Sequence, residues 1–150
     1  METVQIFSYG SNMSSNRIEE RIGKVKFLQF IKLYGYELVF NKKSKDGSSK
    51  ANIRDLGENH IDGPYVYGAI YEMTLEQRKK LDKFEGLGYG YDLYPIIEDK
   101  INVYSYIAKD EKYLVENLGP HLWYKDLVLN GLHEYNPELS YIDKVKKIEL

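Results

Sequence analysis

"IFSYGSNMS" (residues 6–14) begins as an apolar β-strand and changes abruptly to turn-forming residues. The strand runs from Val4 to Ser8, and the turn is Tyr9-Gly10-Ser11-Asn12. Gly, Ser and Asn leave β geometry at low cost, so the pattern predicts a sharp turn into a helix. Such a turn presents free backbone N–H groups that can hold an anion or a polarised carbonyl. An ordinary turn without chemistry is the alternative that this tetrapeptide leaves open.

The composition is that of an ordinary globular protein. The chain has 150 residues, of which 43% are hydrophobic and 29% charged, and a formal net charge of −2. This length predicts one domain, residues 1–150, with a substantial core. The near-neutral charge gives no reason to expect nucleic acid or a membrane as partner. No run of about 18 apolar residues occurs and the N-terminus leads directly into a strand, so we expect a cytoplasmic protein.

Several kinds of catalytic centre are disfavoured by the residue types present. Cysteine is absent, which excludes disulfides, a thiolate nucleophile and cysteine-ligated metal. His60, His121 and His133 lack the spacing of metal ligands, so we expect neither a metal nor a cofactor. Ser11 is a candidate nucleophile for a Ser-His-acid triad, but the Gly-x-Ser-x-Gly elbow is not present.

The next part of the chain alternates between strand and loop signals. A strand-like stretch covers residues 25–40, and Gly35 interrupts it. Strict alternation places Phe27 and Phe30 on opposite faces of this strand. Residues 41–50 are polar and rich in lysine, which predicts a solvated loop.

Two later helices carry recognisable start signals. Thr74 and Gln77 form a capping box, which predicts a helix through "LEQRKKLDKFE" that ends at Gly86. Asn136 as cap and Pro137 at the first helical position predict a final helix.

Residues 91–97 and 101–107 predict a β-hairpin that turns at residues 98–100. Strands therefore dominate the first part of the chain and helices the last. This order predicts an α+β fold around a mostly antiparallel sheet or small barrel.

A second unusual segment is "DKFEGLGYGY", residues 82–91. It places Glu85 at the C-terminal end of a helix, where the dipole disfavours a carboxylate. Leu81 and Phe84 are apolar neighbours, so we expect the side chain to leave from an apolar face. Burial and the dipole would raise its pKa, allowing it to accept a proton near neutral pH. A surface acid beside a glycine C-cap is the alternative.

Taken together, these motifs resemble the γ-glutamylcyclotransferase family, also called AIG2-like. The resemblance is carried by the turn at residues 9–12, "YGAIYEMT", "LDKFEG" and, further along the chain, Tyr124, Gly131 and Tyr141. It covers essentially the whole chain in the expected order. It implies a small closed, mostly antiparallel β-barrel with flanking helices and a cavity at one mouth.

The resemblance also implies an activity and a set of site residues. Members convert γ-glutamyl amino acids or γ-glutamyl amines to 5-oxoproline and a free amine. The catalytic acid of the family corresponds to Glu85, which the resemblance implies is the general acid/base. The substrate-binding residues implied are Tyr9, Gly10, Ser11, Asn12, Met13 (where the family usually has Leu), Tyr91 and Tyr124. Tyr89 competes with Tyr91 for its position.

Two other interpretations remain open at this stage. We expect a monomer or homodimer in each case. One interpretation is a non-catalytic small-molecule binding protein on the same scaffold. The other is a nucleic-acid-binding barrel that uses some of the 15 tyrosines as stacking platforms. The near-neutral charge counts against nucleic acid, and Glu85 counts against a purely binding role.

Overall fold

The computed structural model describes residues 2–57, 63–96, 103–116 and 118–148. Seven strands and four α-helices form within them. The strands are β1 (Thr3–Ser8), β2 (Lys26–Tyr34), β3 (Tyr36–Lys43), β4 (Ser49–Asp55), β5 (Tyr65–Thr74), β6 (Tyr91–Pro95) and β7 (Val103–Ala108). The helices are α1 (Ser15–Ile22), α2 (Leu75–Glu85), α3 (Leu122–Glu134) and α4 (Leu139–Lys146), with 3₁₀ turns at Ser11–Met13 and Glu111–Tyr113.

The strands form two sheets. The larger has the order β2-β5-β1-β7-β6, in which β1 is central, antiparallel to β5 and parallel to β7. Strands β3 and β4 pair antiparallel with each other in a separate sheet. The α+β class is thus confirmed. The ladders among the described residues do not close into a barrel, so the closed barrel is not confirmed.

A side chain bridges the two sheets. The Asn52 amide on β4 donates to the Ala108 carbonyl of β7 and accepts from the Ala108 N–H, both at 2.9 Å. The same amide group donates to Asn41 Oδ1 at 2.9 Å. Because one buried side chain supplies these bonds, β4 is held against β7 without strand pairing.

A β-bulge changes the faces of β2 from those expected. The register against β5 shifts between Phe27 and Gln29. The extra residue puts Phe27 and Phe30 on the same side, where both stack on Tyr135, with ring centroids 4.9 and 5.0 Å away. The opposite-face prediction for this pair is therefore wrong.

Two predicted boundaries also differ. Strands β3 and β4 extend into the expected loop at residues 41–50 and leave only a short connection. Helix α4 begins at Leu139 and is preceded by Glu138, whereas the predicted cap, Asn136, adopts a left-handed conformation (φ 50°) and does not cap it. The predicted hairpin turn at residues 98–100 lies outside the described residues, as does His60.

The elements that carry the candidate site begin and end at well-defined signals. The capping box of Thr74 and Gln77 is formed, so α2 begins directly after β5. It ends at Glu85, followed by Gly86 in the left-handed conformation. None of the helices in the described part of the chain is long and apolar enough to cross a membrane.

Candidate active site

A cavity opens where the C-terminal end of β1 meets α2, α3 and the second sheet. Its empty volume is about 340 Å³, part of which is open to solvent. The lining residues are Phe7, Ser8, Tyr9, Gly10, Ser11, Asn12, Ala51, Glu85, Tyr91, Tyr106 and Tyr124. The structure therefore brings together all the site residues predicted from the sequence except Met13.

Glu85 projects into this cavity from the last position of α2. The Asn12 side-chain amide donates to Glu85 Oε1. Arg21 Nη1 lies 3.9 Å from the same oxygen and 3.3 Å from Asn12 Oδ1. The Glu85 side chain is 17% exposed, whereas that of Phe84 projects outward and the residue is 56% exposed. Glu85 is thus kept from open water, as expected, but by the walls of the cavity and not by the Phe84 side chain.

Burial raises the pKa of the Glu85 carboxyl above its ordinary value. The positive charges of Arg21 and Arg17 and the hydrogen bond from Asn12 act in the opposite direction. Desolvation is the largest of these effects. The group is thereby a stronger base than a free glutamate, and a donor once it is protonated.

The turn at Gly10 brings backbone close to two other walls of the cavity. A Cβ atom added to Gly10 would lie 3.1 Å from Ala51 Cβ and 3.4 Å from the Tyr124 hydroxyl oxygen. The Gly10 carbonyl accepts from Met13 N–H at 3.1 Å and closes the 3₁₀ turn. The first N–H groups of such a turn have no acceptor within it. Gly10, Ser11 and Asn12 line the cavity, which makes these groups candidate donors to a bound ligand.

Three tyrosines of the lining are anchored through their hydroxyl groups. Tyr9 donates to the Tyr106 carbonyl at 2.6 Å, and Tyr91 donates to the Ala51 carbonyl. The Tyr124 hydroxyl accepts from Ala51 N–H at 3.1 Å. Burial raises the pKa of all three phenols, that of Tyr124 to about 12. They are therefore neutral near pH 7.

Two other predicted residues lie away from the cavity. Met13 is the last residue of the 3₁₀ turn and its side chain is fully buried. Its carbonyl accepts from the Tyr71 hydroxyl at 2.8 Å. Tyr89 is 72% exposed and does not line the cavity, whereas Tyr91 does. No histidine lines this cavity, so it offers Ser11 no histidine base for a triad.

The sequence reasoning missed two groups of residues. Phe7, Ser8, Ala51 and Tyr106 complete the lining. Arg17 and Arg21, one turn apart on α1, act electrostatically on Glu85. Their i, i+4 spacing indicates a shared helix face. Nothing local indicates that this face meets the end of α2.

Comparisons with known proteins show the family of this chain. The family model described as "Gamma-glutamyl cyclotransferase, AIG2-like" matches residues 6–125. This chain belongs to that family. A relative named gamma-glutamylcyclotransferase from Homo sapiens is 28% identical over 156 aligned positions, covering 99% of this chain and 80% of the relative. One of the same name from Mus musculus is also 28% identical, with the same coverage.

Solved structures agree as well. One named gamma-glutamyl cyclotransferase superposes with a TM-score of 0.76 at 25% identity, covering 99% of this chain and 89% of the other. A protein of Bacillus subtilis, YkqA, superposes with a TM-score of 0.74 over 98% of this chain and 54% of its own. At 20% identity, that second likeness shows the fold alone.

Proposed function

We propose that this chain cyclises a γ-glutamyl amino acid or γ-glutamyl amine to 5-oxoproline and releases the free amine, with Glu85 as general acid/base. The observation that carries the proposal is the Glu85 carboxylate, buried in a cavity beside Asn12 with a raised pKa. Membership of the family supports the reaction class. The 28% identity of the relatives leaves the substrate and the role of Glu85 to experiment.

The reaction needs few protein groups because the substrate carries its own nucleophile. Its α-ammonium gives a proton to Glu85, and the resulting amine attacks the γ-carbonyl carbon to close a five-membered ring. The bond from that carbon to the leaving nitrogen then breaks. Protonated Glu85 returns the proton to that nitrogen. The ring nitrogen then loses its second surplus proton, which the released amine takes up to leave as an ammonium ion. Holding the amine against the carbonyl can contribute several kcal/mol to lowering the barrier.

The remaining lining residues have binding roles in this proposal. Backbone N–H groups of Gly10, Ser11 and Asn12 hold the substrate carboxylate or the developing oxyanion, which is worth about 3 kcal/mol per donor. Tyr9, Tyr91 and Tyr124 shape the wall around the glutamyl group. Met13 anchors the turn in the core, since it is fully buried and does not line the cavity.

The setting of the activity is also proposed. Residues 1–150 act as a single domain, as monomer or homodimer, in the cytoplasm, without metal, cofactor or nucleic acid. A purely binding protein on the same scaffold is disfavoured by the raised pKa of Glu85, which a binding role does not require.

Turnover of γ-glutamyl-alanine tests the proposal. We expect 5-oxoproline and alanine in equal amounts. α-Glutamyl-alanine is the matched control and should not release alanine, because its α-amine cannot close a five-membered ring on the scissile carbonyl. Absence of 5-oxoproline from both γ-glutamyl-alanine and a γ-glutamyl amine would overturn the proposal.

A further inference from the structure

Four cationic side chains lie near the candidate active site without belonging to the lining of its cavity. Arg17 and Arg21 approach from α1, and Lys42 and Lys50 approach from β3 and β4. We call these four residues the cationic rim. Each acts on a lining residue, either by direct contact or electrostatically.

The two lysines of the rim are held in place by aromatic lining residues. Lys42 Nζ lies 5.1 Å from the centroid of the Tyr91 ring. Lys50 Nζ lies 4.3 Å from the centroids of both Tyr124 and Trp123, and its side chain is only 18% exposed. Ammonium groups over aromatic faces are attracted to them and keep N–H donors free for a further partner.

The backbone leaves room for the Lys42 side chain. A Cβ atom added to Gly90 would lie 2.5 Å from Lys42 Cε. Gly90 has a φ of 135°, a conformation that few other residues adopt. The glycine just before β6 thus lets the Lys42 stem pass close to the backbone and reach Tyr91.

The rim carries more positive charge than its partners neutralise. Within the described residues, its ion pairs are Arg21 with Glu85 at 3.9 Å and Lys50 with Asp46 at 3.5 Å. No ion pair in that part of the chain involves Arg17 or Lys42, and the Arg17 Nε is buried without a hydrogen-bond partner. Two of the four cations are therefore without a carboxylate of the described residues within ion-pair distance.

That excess matches a substrate with two carboxylates. A γ-glutamyl amino acid carries the glutamyl carboxylate and that of the leaving amino acid, whereas a γ-glutamyl amine carries only the first. Arg21 already contacts Asn12 and Glu85, so it belongs to the catalytic side of the cavity. The lysines approach from the opposite sheet and have donors available for the second carboxylate.

We propose that Lys42 and Lys50 bind the carboxylate of the leaving amino acid, which makes γ-glutamyl amino acids preferred over γ-glutamyl amines. This inference rests on the proposed function and adds a specificity determinant to it. A charge-assisted hydrogen bond present with one leaving group and lost with the other is expected to change kcat/KM by about tenfold or more.

Two substrates that differ only by the carboxylate provide the test: γ-glutamyl-alanine and γ-glutamyl-ethylamide. We expect wild-type kcat/KM to favour γ-glutamyl-alanine by about tenfold or more, less so at high ionic strength. Lys42→Met and Lys50→Met should each lower this ratio, and the double variant should bring it close to one. Lys43→Met is the matched control, because Lys43 is an exposed neighbour on β3 and should leave the ratio unchanged.

The outcomes separate this inference from the function on which it rests. Equal kcat/KM for the two substrates in wild type would overturn the carboxylate preference and leave the cyclotransferase proposal standing. If the lysine variants, shown to be folded by thermal melting, lower both values equally, binding of the carboxylate by Lys42 and Lys50 is overturned, since the lysines would then have only a structural role. The cyclotransferase proposal would again stand. Turnover of neither substrate would overturn both.

Discussion

At Glu85 two opposing effects act on one carboxylate. Burial raises its pKa, while Arg21, Arg17 and the Asn12 amide favour the charged form. Because burial has the largest effect, the folded protein pays an energetic cost to keep this group ionised near neutral pH. A catalytic role for the carboxylate would explain why that cost is tolerated.

Stability as a function of pH tests this balance. A carboxyl with a raised pKa in the folded state costs nothing below its unfolded pKa, where both states are protonated. Its destabilising effect is complete above the folded pKa. We therefore expect Glu85→Gln to melt at a higher temperature relative to wild type at pH 8 than at pH 4. A difference in melting temperature that is the same at both pH values would contradict the raised pKa.

Gly10 is a second residue at which one added atom would change the site. In Gly10→Val the new side chain would lie within about 3.1–3.4 Å of Ala51 and Tyr124 and fill the approach to the turn. We expect a folded protein whose turnover falls by on the order of 100-fold or more. Ser11→Ala, which leaves the backbone unchanged, should be much milder. Normal turnover by a folded Gly10→Val protein would contradict the role of the turn.

Some residues of the site could be predicted from the sequence and others could not. Tyr9 to Asn12 and Glu85 could be predicted because their local signals, a turn after a strand and an acid before a glycine cap, lie within a few positions. Arg21 and Ala51 could not, because they come to the cavity from separate elements. Contacts between distant parts of the chain determine their positions, and the hydrophobic periodicity of the sequence does not predict such contacts.

Among the elements, α3 and the 3₁₀ turn are packed closely. A Cβ atom added to Gly131 on α3 would lie 3.1 Å from Met13 Cβ and 3.1 Å from the Ser14 backbone nitrogen. The turn therefore packs directly against the α3 backbone at Gly131, which has no side chain to separate them. Asn12, which donates to Glu85, lies on the same turn.

Gly131→Ala tests whether this packing positions the site. Alanine favours the helix by about 1 kcal/mol, which offsets part of the crowding, so stability should change little. The turn must shift by a few tenths of an ångström, and we expect turnover to fall by on the order of tenfold. Asn130→Ala, at an exposed position on the same helix, is the control and should keep wild-type turnover. Unchanged turnover in Gly131→Ala would contradict the positioning role.

Element boundaries followed local signals only where nothing distant competed. Helix α2 forms as its capping box predicts, and α1 has Ser14 as its N-cap. The bulge in β2 and the start of α4 depend on distant partners instead. Glu138 precedes α4 and binds Lys32 on β2 at 2.6 Å and Tyr65 on β5 at 2.7 Å. These cross-element bonds leave no pattern in the neighbouring sequence.

For the whole molecule, the α+β class could be predicted from the order of strand and helix signals. The arrangement of the two separate sheets could not, because β4 is held against β7 by a long-range contact, the Asn52 bridge. The same bridge holds Ala51 on β4 beside the cavity. The second sheet thereby supplies a wall of the site as well as Lys42 and Lys50 of the rim.

Metal independence is a prediction for the whole protein. Cysteine is absent from the sequence, and no group of three or more His, Asp or Glu side chains in the described ranges is placed to hold a metal ion. Exhaustive dialysis against a chelator should therefore leave the turnover rate of γ-glutamyl-alanine unchanged. Loss of activity that added zinc or manganese restores would reveal a carboxylate site that this account lacks.

The central claim is that Glu85 transfers the proton during cyclisation, and the rate of 5-oxoproline formation by Glu85→Gln tests it most directly. Glutamine keeps the shape of the side chain but removes the proton acceptor. We expect a folded protein that still binds a γ-glutamyl ligand and loses at least about 100-fold in rate. Glu76→Gln, in the first turn of the same helix, is the control and should keep wild-type turnover. Near-normal turnover by Glu85→Gln would contradict the claim.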